Sequence, residues 1–210
     1  MTAAGITFEP MQEKYNVQVG KLFVCGFRGK FQHLTNLSDD ELAHFFATVL
    51  DLFPSKSNSR RVIAIYQGEV IGTLSVKWNV DSITKQNMNT TASWRSFSHF
   101  GKWNIVKLYL GLWLLEHEPQ VGECYVADVA VHPDHRSKGV GRMLLEWARQ
   151  YAEAEPDLKI LSLHVSGNNP RAKQLYEQMS FRTLSQKNSV LSYVLLKEGK
   201  WNYMVQTLSR

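Results

Sequence analysis

The stretch Asp128-Val129-Ala130-Val131-His132-Pro133-Asp134-His135-Arg136-Ser137-Lys138-Gly139-Val140-Gly141-Arg142 reads as a buried strand, a basic turn with two glycines, and the start of a helix. Without Cβ atoms at Gly139 and Gly141 the turn can fold back closely. Several backbone N–H groups then converge on one anion, and the helix that follows presents its positive end to it. Arg136, Ser137, Lys138, Val140 and Arg142 surround that cradle with donors and charge. Other phosphate loops fit worse. A dinucleotide fingerprint needs a third glycine at position 144, where Leu144 stands, and a P-loop needs Gly-Lys-Ser/Thr, which is absent. Taken alone, Arg-x-x-Gly-x-Gly is as often an ordinary turn as a binding loop.

A second signature lies about thirty residues on, the length of a helix plus a strand. It is Asn169-Pro170-Arg171-Ala172-Lys173-Gln174-Leu175-Tyr176-Glu177-Gln178-Met179-Ser180-Phe181. Asn169 is a helix cap, Pro170 suits a first helical turn, and Ala172, Leu175, Tyr176 and Met179 form an apolar stripe. By itself Tyr176 would be an ordinary core tyrosine. The two motifs in this order resemble the acyl-CoA pyrophosphate loop and the Asn-x-x-Ala-x-x-Leu-Tyr-Glu-Lys-x-Gly-Phe element of the GNAT superfamily of N-acetyltransferases, with Ser180 replacing the usual glycine. The resemblance is specific over Glu123 to Phe181 and only topological elsewhere. It implies acetyl-CoA as acyl donor, with the main chain of Val129, Ala130 and Val131 along the pantetheine arm and Asn169 near the diphosphate or pantetheine.

Composition sets limits. A chain of 210 residues, 44% hydrophobic and 20% charged, can fill one core, so a single domain over 1–210 is expected. Met1 to Gly20 has no secretory pattern, and no run reaches the ~18 apolar residues of a membrane span. Cys25 and Cys124 are too few for a disulfide framework. Cytoplasm is the expected compartment. The net charge of +5 is spread thinly apart from Arg60-Arg61 and the cradle, without a nucleic-acid-reading pattern, so no nucleic-acid partner is expected. His132 and His135 invite a zinc reading, but no further ligands accompany them, and no metal is expected.

The pattern predicts strand Ile6–Pro10, helix Met11–Phe27, a helix from Ser38 to about Leu52 opened by a Ser38/Glu41 capping box, and a loop over Pro54–Ser59. A hairpin Val62–Tyr66/Glu69–Trp78 turns at Gln67-Gly68. Strand Glu123–Val131, helix Val140–Glu155, strand Ile160–Val165 and the Asn169 helix follow, and a hairpin of Val190–Lys197 and Trp201–Leu208 closes the domain. This is an α/β order; the resemblance makes it a GNAT-like mixed sheet, splayed between its fourth and fifth strands and flanked by helices. Residues 79–120 depart from the family pattern as a hydrophobic helical insertion between the third and fourth strands, of about forty residues. Within it, residues 103–115 are apolar around most of a helical wheel, with Asn104, Lys107 and Gly111 as a narrow polar stripe. Burial on the domain, a homodimer contact through 97–116, and a wall of the acceptor pocket all remain open. Its few positive charges argue against a membrane-surface helix.

Chemistry narrows the catalytic candidates. An amine acceptor with a pKa of about 10 is protonated at neutral pH, so a carboxylate, directly or through water, should take its proton before it attacks a thioester. Glu123 and Asp128 lie on the strand beside the cradle. The spacing from Glu123 to Val129 resembles the catalytic glutamate position of ribosomal-protein N-acetyltransferases, which puts Glu123 first and Asp128 second. The ordinary alternatives are a solvated strand-start carboxylate and a structural hydrogen-bond acceptor. Tyr176 is the candidate proton donor to the departing thiolate. The expected activity is direct transfer of acetyl, in a ternary complex, to a primary amine of a small molecule or peptide. A non-catalytic acyl-CoA-binding or sensing module is the alternative, and a nucleic-acid or ribosome-associated binding protein is a third reading that rests on charge alone.

Overall fold

The computed structural model describes residues 5–53, 58–79 and 96–209. Strand β1 (Ile6–Pro10) passes through a 3-10 turn (Glu13–Tyr15) into helix α1 (Asn16–Phe31), followed by helix α2 (Asp39–Leu52). The hairpin β2 (Ser59–Tyr66) and β3 (Glu69–Trp78) precedes helix α3 (Lys102–Leu114) and strand β4 (Glu123–Val131). Then come α4 (Val140–Ala154), β5 (Ile160–Ser166), α5 (Pro170–Gln178), β6 (Arg182–Asn188), α6 (Val190–Leu196) and β7 (Lys200–Thr207). The seven strands form one sheet in the order β1-β2-β3-β4-β5-β7-β6. The expected loop at 54–57 and the part of the insertion at 80–95 lie outside the described residues.

Local chemistry explains several elements. At the start of α2 the Glu41 N–H donates to Ser38 Oγ at 3.3 Å, and Ser38 N–H donates to Glu41 Oε2 at 2.8 Å, a complete capping box. Gln67 and Gly68 both have positive φ, 52° and 83°, the two-residue turn whose twist suits a hairpin. Helix α4 turns Val140, Leu144, Leu145, Ala148 and Ala152 inward. Together with Leu74, Val76, Cys124, Val126, Leu161 and Leu163 they form the core on one face of the sheet. Each fully buried leucine there contributes about 2 kcal/mol. The core on the other face joins Val19, Leu22 and Phe23 of α1, Phe45 and Phe46 of α2, and Ile105 and Leu108 of α3 over Ile63, Ile65 and Ala130.

Two features of β4 shape everything near the cradle. It pairs in parallel with β5 only from Glu123 to Val126, opposite Ile160 to Leu163. Beyond that it stays with β3 while β5 stays with β7, so the sheet splits. In addition, Val76 pairs with Val126 but Ser75 pairs with Asp128, which leaves Ala127 as a bulge. A one-residue bulge reverses the alternation of side chains. Glu123 and Asp128, five residues apart and so on opposite faces of a regular strand, therefore point to the same face.

The end of the chain differs from its sequence reading. Val190–Leu196 is not a strand but helix α6, and the strand that pairs with β7 is Arg182–Asn188. Strand β6 is the outermost strand and every one of its residues is exposed, so no apolar alternation marks it. Ser189 Oγ accepts the Ser192 N–H at 3.1 Å and starts the helix instead. The first helix also begins later and runs on to Phe31, which is buried at the heart of the second core.

In α3, Gly111 is not part of a polar stripe. It is a contact point: an added Cβ would lie 2.7 Å from Leu34 Cδ1 and 3.0 Å from Phe31 Cε1. Ile105, Leu108 and Gly111 face inward, while Trp103 and Trp113 are 79% and 66% exposed and share an outer stripe with Val106 and Leu110. A homodimer contact, one of the three alternatives left open by the sequence, would use that stripe. No helix among the described residues is long and apolar enough to cross a membrane.

Gly20 marks the tightest approach of α1 to α2, since a Cβ there would meet the Ala43 carbonyl oxygen at 2.4 Å. Gly20→Ala should therefore cost about 1–3 kcal/mol through overpacking. Differential scanning calorimetry should show this as a melting temperature several degrees lower, and an unchanged Tm would contradict the packing described.

Candidate active site

After β4 the chain makes a 3-10 turn at Pro133–His135, and Ser137 and Gly139 then both take left-handed conformations, φ 63° and 85°. Such residues turn neighbouring N–H groups toward one concavity. Helix α4 begins directly after it with no side chain capping its first turn, so its N-terminal amides are available to an anion. An added Cβ at Gly139 would meet nothing within 4 Å, which is the open space a phosphate group needs. Gly141 faces Leu175 of α5 and Val131 of β4 across ordinary contact distances. Val140, the residue between them, is buried in the core and anchors the helix.

The cations divide their work. Arg136 donates from Nε to the Val131 carbonyl at 3.2 Å and from Nη2 to the Cys25 carbonyl at 2.9 Å, tying the cradle to β4 and α1. Arg142 donates to Gln178 Oε1 at 2.8 Å. Lys138 is exposed on the rim. Arg171, which the sequence reading passed over, reaches from α5 to donate to Ser137 Oγ. Asn169 Oδ1 caps α5 by accepting the Ala172 N–H at 3.1 Å. Val129 and Val131 turn toward α4 and Ala130 toward α1, while the backbone of this stretch on the side away from β3 has no strand beside it. These N–H groups, open strand edge and rim cation suit the diphosphate and amide-rich arm of an acyl-CoA.

On the opposite face of the sheet, a cleft of about 1090 Å³ runs between α1, α2, the end of α3 and the split between β4 and β5. Leu112–Leu115 form part of its wall, and His117, Tyr125, Asp128, His164, Asn169 and Tyr176 line it. Glu123 lies beneath, only 1% exposed. Its carboxylate accepts hydrogen bonds from the Gln120 N–H at 2.7 Å, Tyr203 Oη at 2.8 Å, His117 Nε2 at 3.1 Å and Ser162 Oγ. Burial works to raise its pKa, but these four donors outweigh it and hold the group at about 2. Beside it Tyr125 Oη and His164 Nδ1 are 3.2 Å apart. Burial, with a smaller effect of the neighbouring His117, lowers His164 to about 4; burial and the Glu123 charge push Tyr125 up, and burial with the bond to Glu123 pushes Tyr203 to about 12.

Asp128 shares the face but is clamped. Arg61 donates to both of its oxygens, at 2.6 and 2.8 Å, and Ser75 Oγ donates at 2.5 Å. The Arg61 guanidinium in turn lies 5.0 Å from the centre of the Phe23 ring. Tyr176 reaches the cleft from α5, with burial pushing its hydroxyl up to about 12, so it keeps its proton at neutral pH. The fold thus gathers Glu123, Asp128 and Tyr176 around one cleft and sets the cradle at the mouth of the same split. Among the described residues no group of three or more His, Cys, Asp or Glu is gathered to hold a metal ion.

His117, Tyr125, Ser162, His164 and Tyr203 were missing from the sequence reading. A signal existed in β5, where Ser162 and His164 interrupt an otherwise apolar Ile160–Val165 at every second position, marking one face as polar. Tyr125 stands two residues from Glu123 and so shares its face. His117, in a loop, gave no periodic signal.

Comparison with known proteins identifies the family and the fold. The family model described as acetyltransferase (GNAT) family matches residues 30–181, and the chain belongs to that family. Its fold is that of Arabidopsis thaliana NAA60 solved with acetyl-CoA, with a TM-score of 0.61 and 16% identity over 97% of this chain and 98% of that one. The Escherichia coli ribosomal-protein-S18-alanine N-acetyltransferase is similar with a TM-score of 0.54 and 13% identity, covering 98% and 95% of the two chains. Vibrio cholerae spermidine/spermine N-acetyltransferase SpeG gives 0.57 and 15%, covering 98% and 94%. No curated protein sequence matches.

The hydrogen-bonded Glu123 carboxylate has a consequence for stability. Its pKa falls from 4.5 in the unfolded chain to about 2 in the fold, so it stabilises the fold above pH 4.5 and loses that contribution as pH drops toward 2. The effect is worth about 3 kcal/mol at neutral pH. Guanidinium unfolding should show Glu123→Gln destabilised by an amount of that order at pH 7, with the gap to wild type closing between pH 4.5 and 2. A gap independent of pH would refute the assignment.

Proposed function

We propose that this protein transfers the acetyl group of acetyl-CoA directly to a primary amine of a small molecule or peptide, within a ternary complex. One observation carries the reading: the split beyond Val126 and Leu163 connects an anion cradle on one side of the sheet with a cleft lined by proton-handling groups on the other. A donor held by Ser137, Gly139, Val140 and Gly141 at its diphosphate, and by Val129–Val131 and Asn169 along its arm, would present its thioester inside that split. When bound, acetyl-CoA supplies the activated acyl group; the chain supplies position and proton transfer.

Tyr176 donates a hydrogen bond, and then its proton, to the departing thiolate, whose conjugate thiol has an ordinary pKa of about 8.5. Asp128 holds Arg61 and Ser75 in place at the cleft wall. Removal of the acceptor's proton belongs to the cluster built on Glu123. An acetyl-CoA turnover screen over amines, polyamines, amino acids and peptide N-termini tests the reading, and binding of acetyl-CoA without turnover of any of them would replace it with a binding or sensing role.

Two variants separate the parts. Gly139→Val puts a branched side chain into a left-handed position at the cradle, so calorimetric titration should show acetyl-CoA affinity reduced at least tenfold in a folded protein. Tyr176→Phe keeps the ring in its packing and removes only the donor. Turnover should fall by about 10² to 10⁴ while acetyl-CoA affinity stays the same. A lower Tm with unchanged turnover would instead make Tyr176 a core residue.

A further inference from the structure

The carboxylate that the sequence favours as base does not reach the cleft. Three hydrogen bonds converge on Glu123 Oε1, from Ser162, Tyr203 and His117, while Oε2 takes the Gln120 N–H. His117 stands between it and the open space, its side chain 24% exposed and lining the cleft. Because an ionised carboxylate only accepts, the ring must carry a hydrogen on Nε2, and in the neutral ring Nδ1 then has a lone pair. No described residue is bonded to that nitrogen. The ring is fixed by its neighbours, with centroids 4.3 Å from Tyr125, 5.0 Å from His164 and 5.8 Å from Tyr203. His164, whose Nδ1 is paired with the Tyr125 hydroxyl, is the weaker base, because burial lowers it to about 4.

We propose that His117 is the base of acetyl transfer: its Nδ1 takes the proton from the acceptor ammonium, and Glu123, bonded to Nε2–H, is the positioning residue that fixes the ring and its tautomer. This rests on the acetyltransferase reading given above. The freed amine attacks the thioester carbonyl, the new C–N bond forms and the C–S bond breaks. As CoA leaves as the thiol, Tyr176 gives its proton to the thiolate and takes up the second amine proton in return, and the proton on His117 leaves to solvent through its exposed edge. The charged and titratable groups around the ring are Glu123 and Tyr125 from β4, His164 from β5, Tyr203 from β7, Lys187 from β6, Lys77 from β3, and Glu116 and Glu118 beside it in the chain.

The test compares wild type, His117→Gln, His117→Asn and Glu123→Gln, with spermidine and a peptide bearing a free N-terminal alanine as acceptors. His117→Gln can still donate an amide N–H to Glu123, so the fold and acetyl-CoA affinity by calorimetry should persist. The expected loss in kcat/KM is about 10² to 10⁴-fold, with the acidic limb of the wild-type pH profile replaced by a steady rise that follows the free amine. Glu123→Gln should lose less and keep that limb. Wild-type kcat/KM and pH profile in both His117 variants would overturn the proposal while leaving the acetyltransferase reading intact. Absence of turnover in wild type would remove that reading and this inference with it. A long-range ¹⁵N–¹H spectrum of wild type gives an answer independent of activity: His117 should carry its hydrogen on Nε2, and a hydrogen on Nδ1 in the neutral ring overturns the assignment.

Discussion

Four residues of parallel pairing, Glu123–Val126 against Ile160–Leu163, hold the two halves of this sheet together, and the rest of the site depends on where that pairing stops. Beyond it each strand keeps one neighbour and loses the other. The backbone of Ala127–Val131 is thereby left with an open edge along the cleft, free to pair with an extended ligand. The same parting opens the cleft on the far face. The apolar contacts of Cys124, Val126, Leu161 and Leu163 under α4 keep the paired segment rigid, so the opening is a fixed feature of the packing.

The bulge at Ala127 decides what that opening contains. Without it Asp128 would point into the core under α4, where an ionised carboxylate has no partner. With it, Asp128 meets Arg61 and Ser75 on the side of Glu123. Two carboxylates on one face then have different surroundings. One is clamped by a guanidinium that stacks on Phe23, and the other is buried under neutral donors and an imidazole. Burying an anion as deeply as Glu123 is affordable only because four donors replace the water it loses. Its charge in turn orients His117, so an inaccessible group acts through an accessible one.

The insertion and the chain end make the cleft into a pocket. Helix α3 lays Ile105, Leu108 and Gly111 on the core and brings Leu112–Leu115 to the rim, which delivers His117 to Glu123. Gly111 makes this possible, because a larger residue would hold α3 away from Phe31 and Leu34. Strand β7, central to its half of the sheet although last in the chain, supplies Tyr203.

The sequence by itself determined the parts whose chemistry is local. Gly139 and Gly141 before a helical stripe, the capped Asn169 helix, the Ser38 capping box and the Gln67-Gly68 turn are set by residues within a few positions of one another, and each could be read directly. It also named the carboxylates and Tyr176 around the site. Tertiary structure decided the rest. The edge strand β6 carries no alternation because neither of its faces is buried, and α6 forms from a β-prone sequence because Ser189 caps it and Leu196 finds a buried place. The bulge at Ala127 depends on register with β3, and the partnership of Glu123 with His117, Ser162 and Tyr203 joins four segments that no spacing in the chain relates. Side-chain parity and hydrogen-bond partnership are properties of how segments are placed against each other, and only the folded chain fixes that placement.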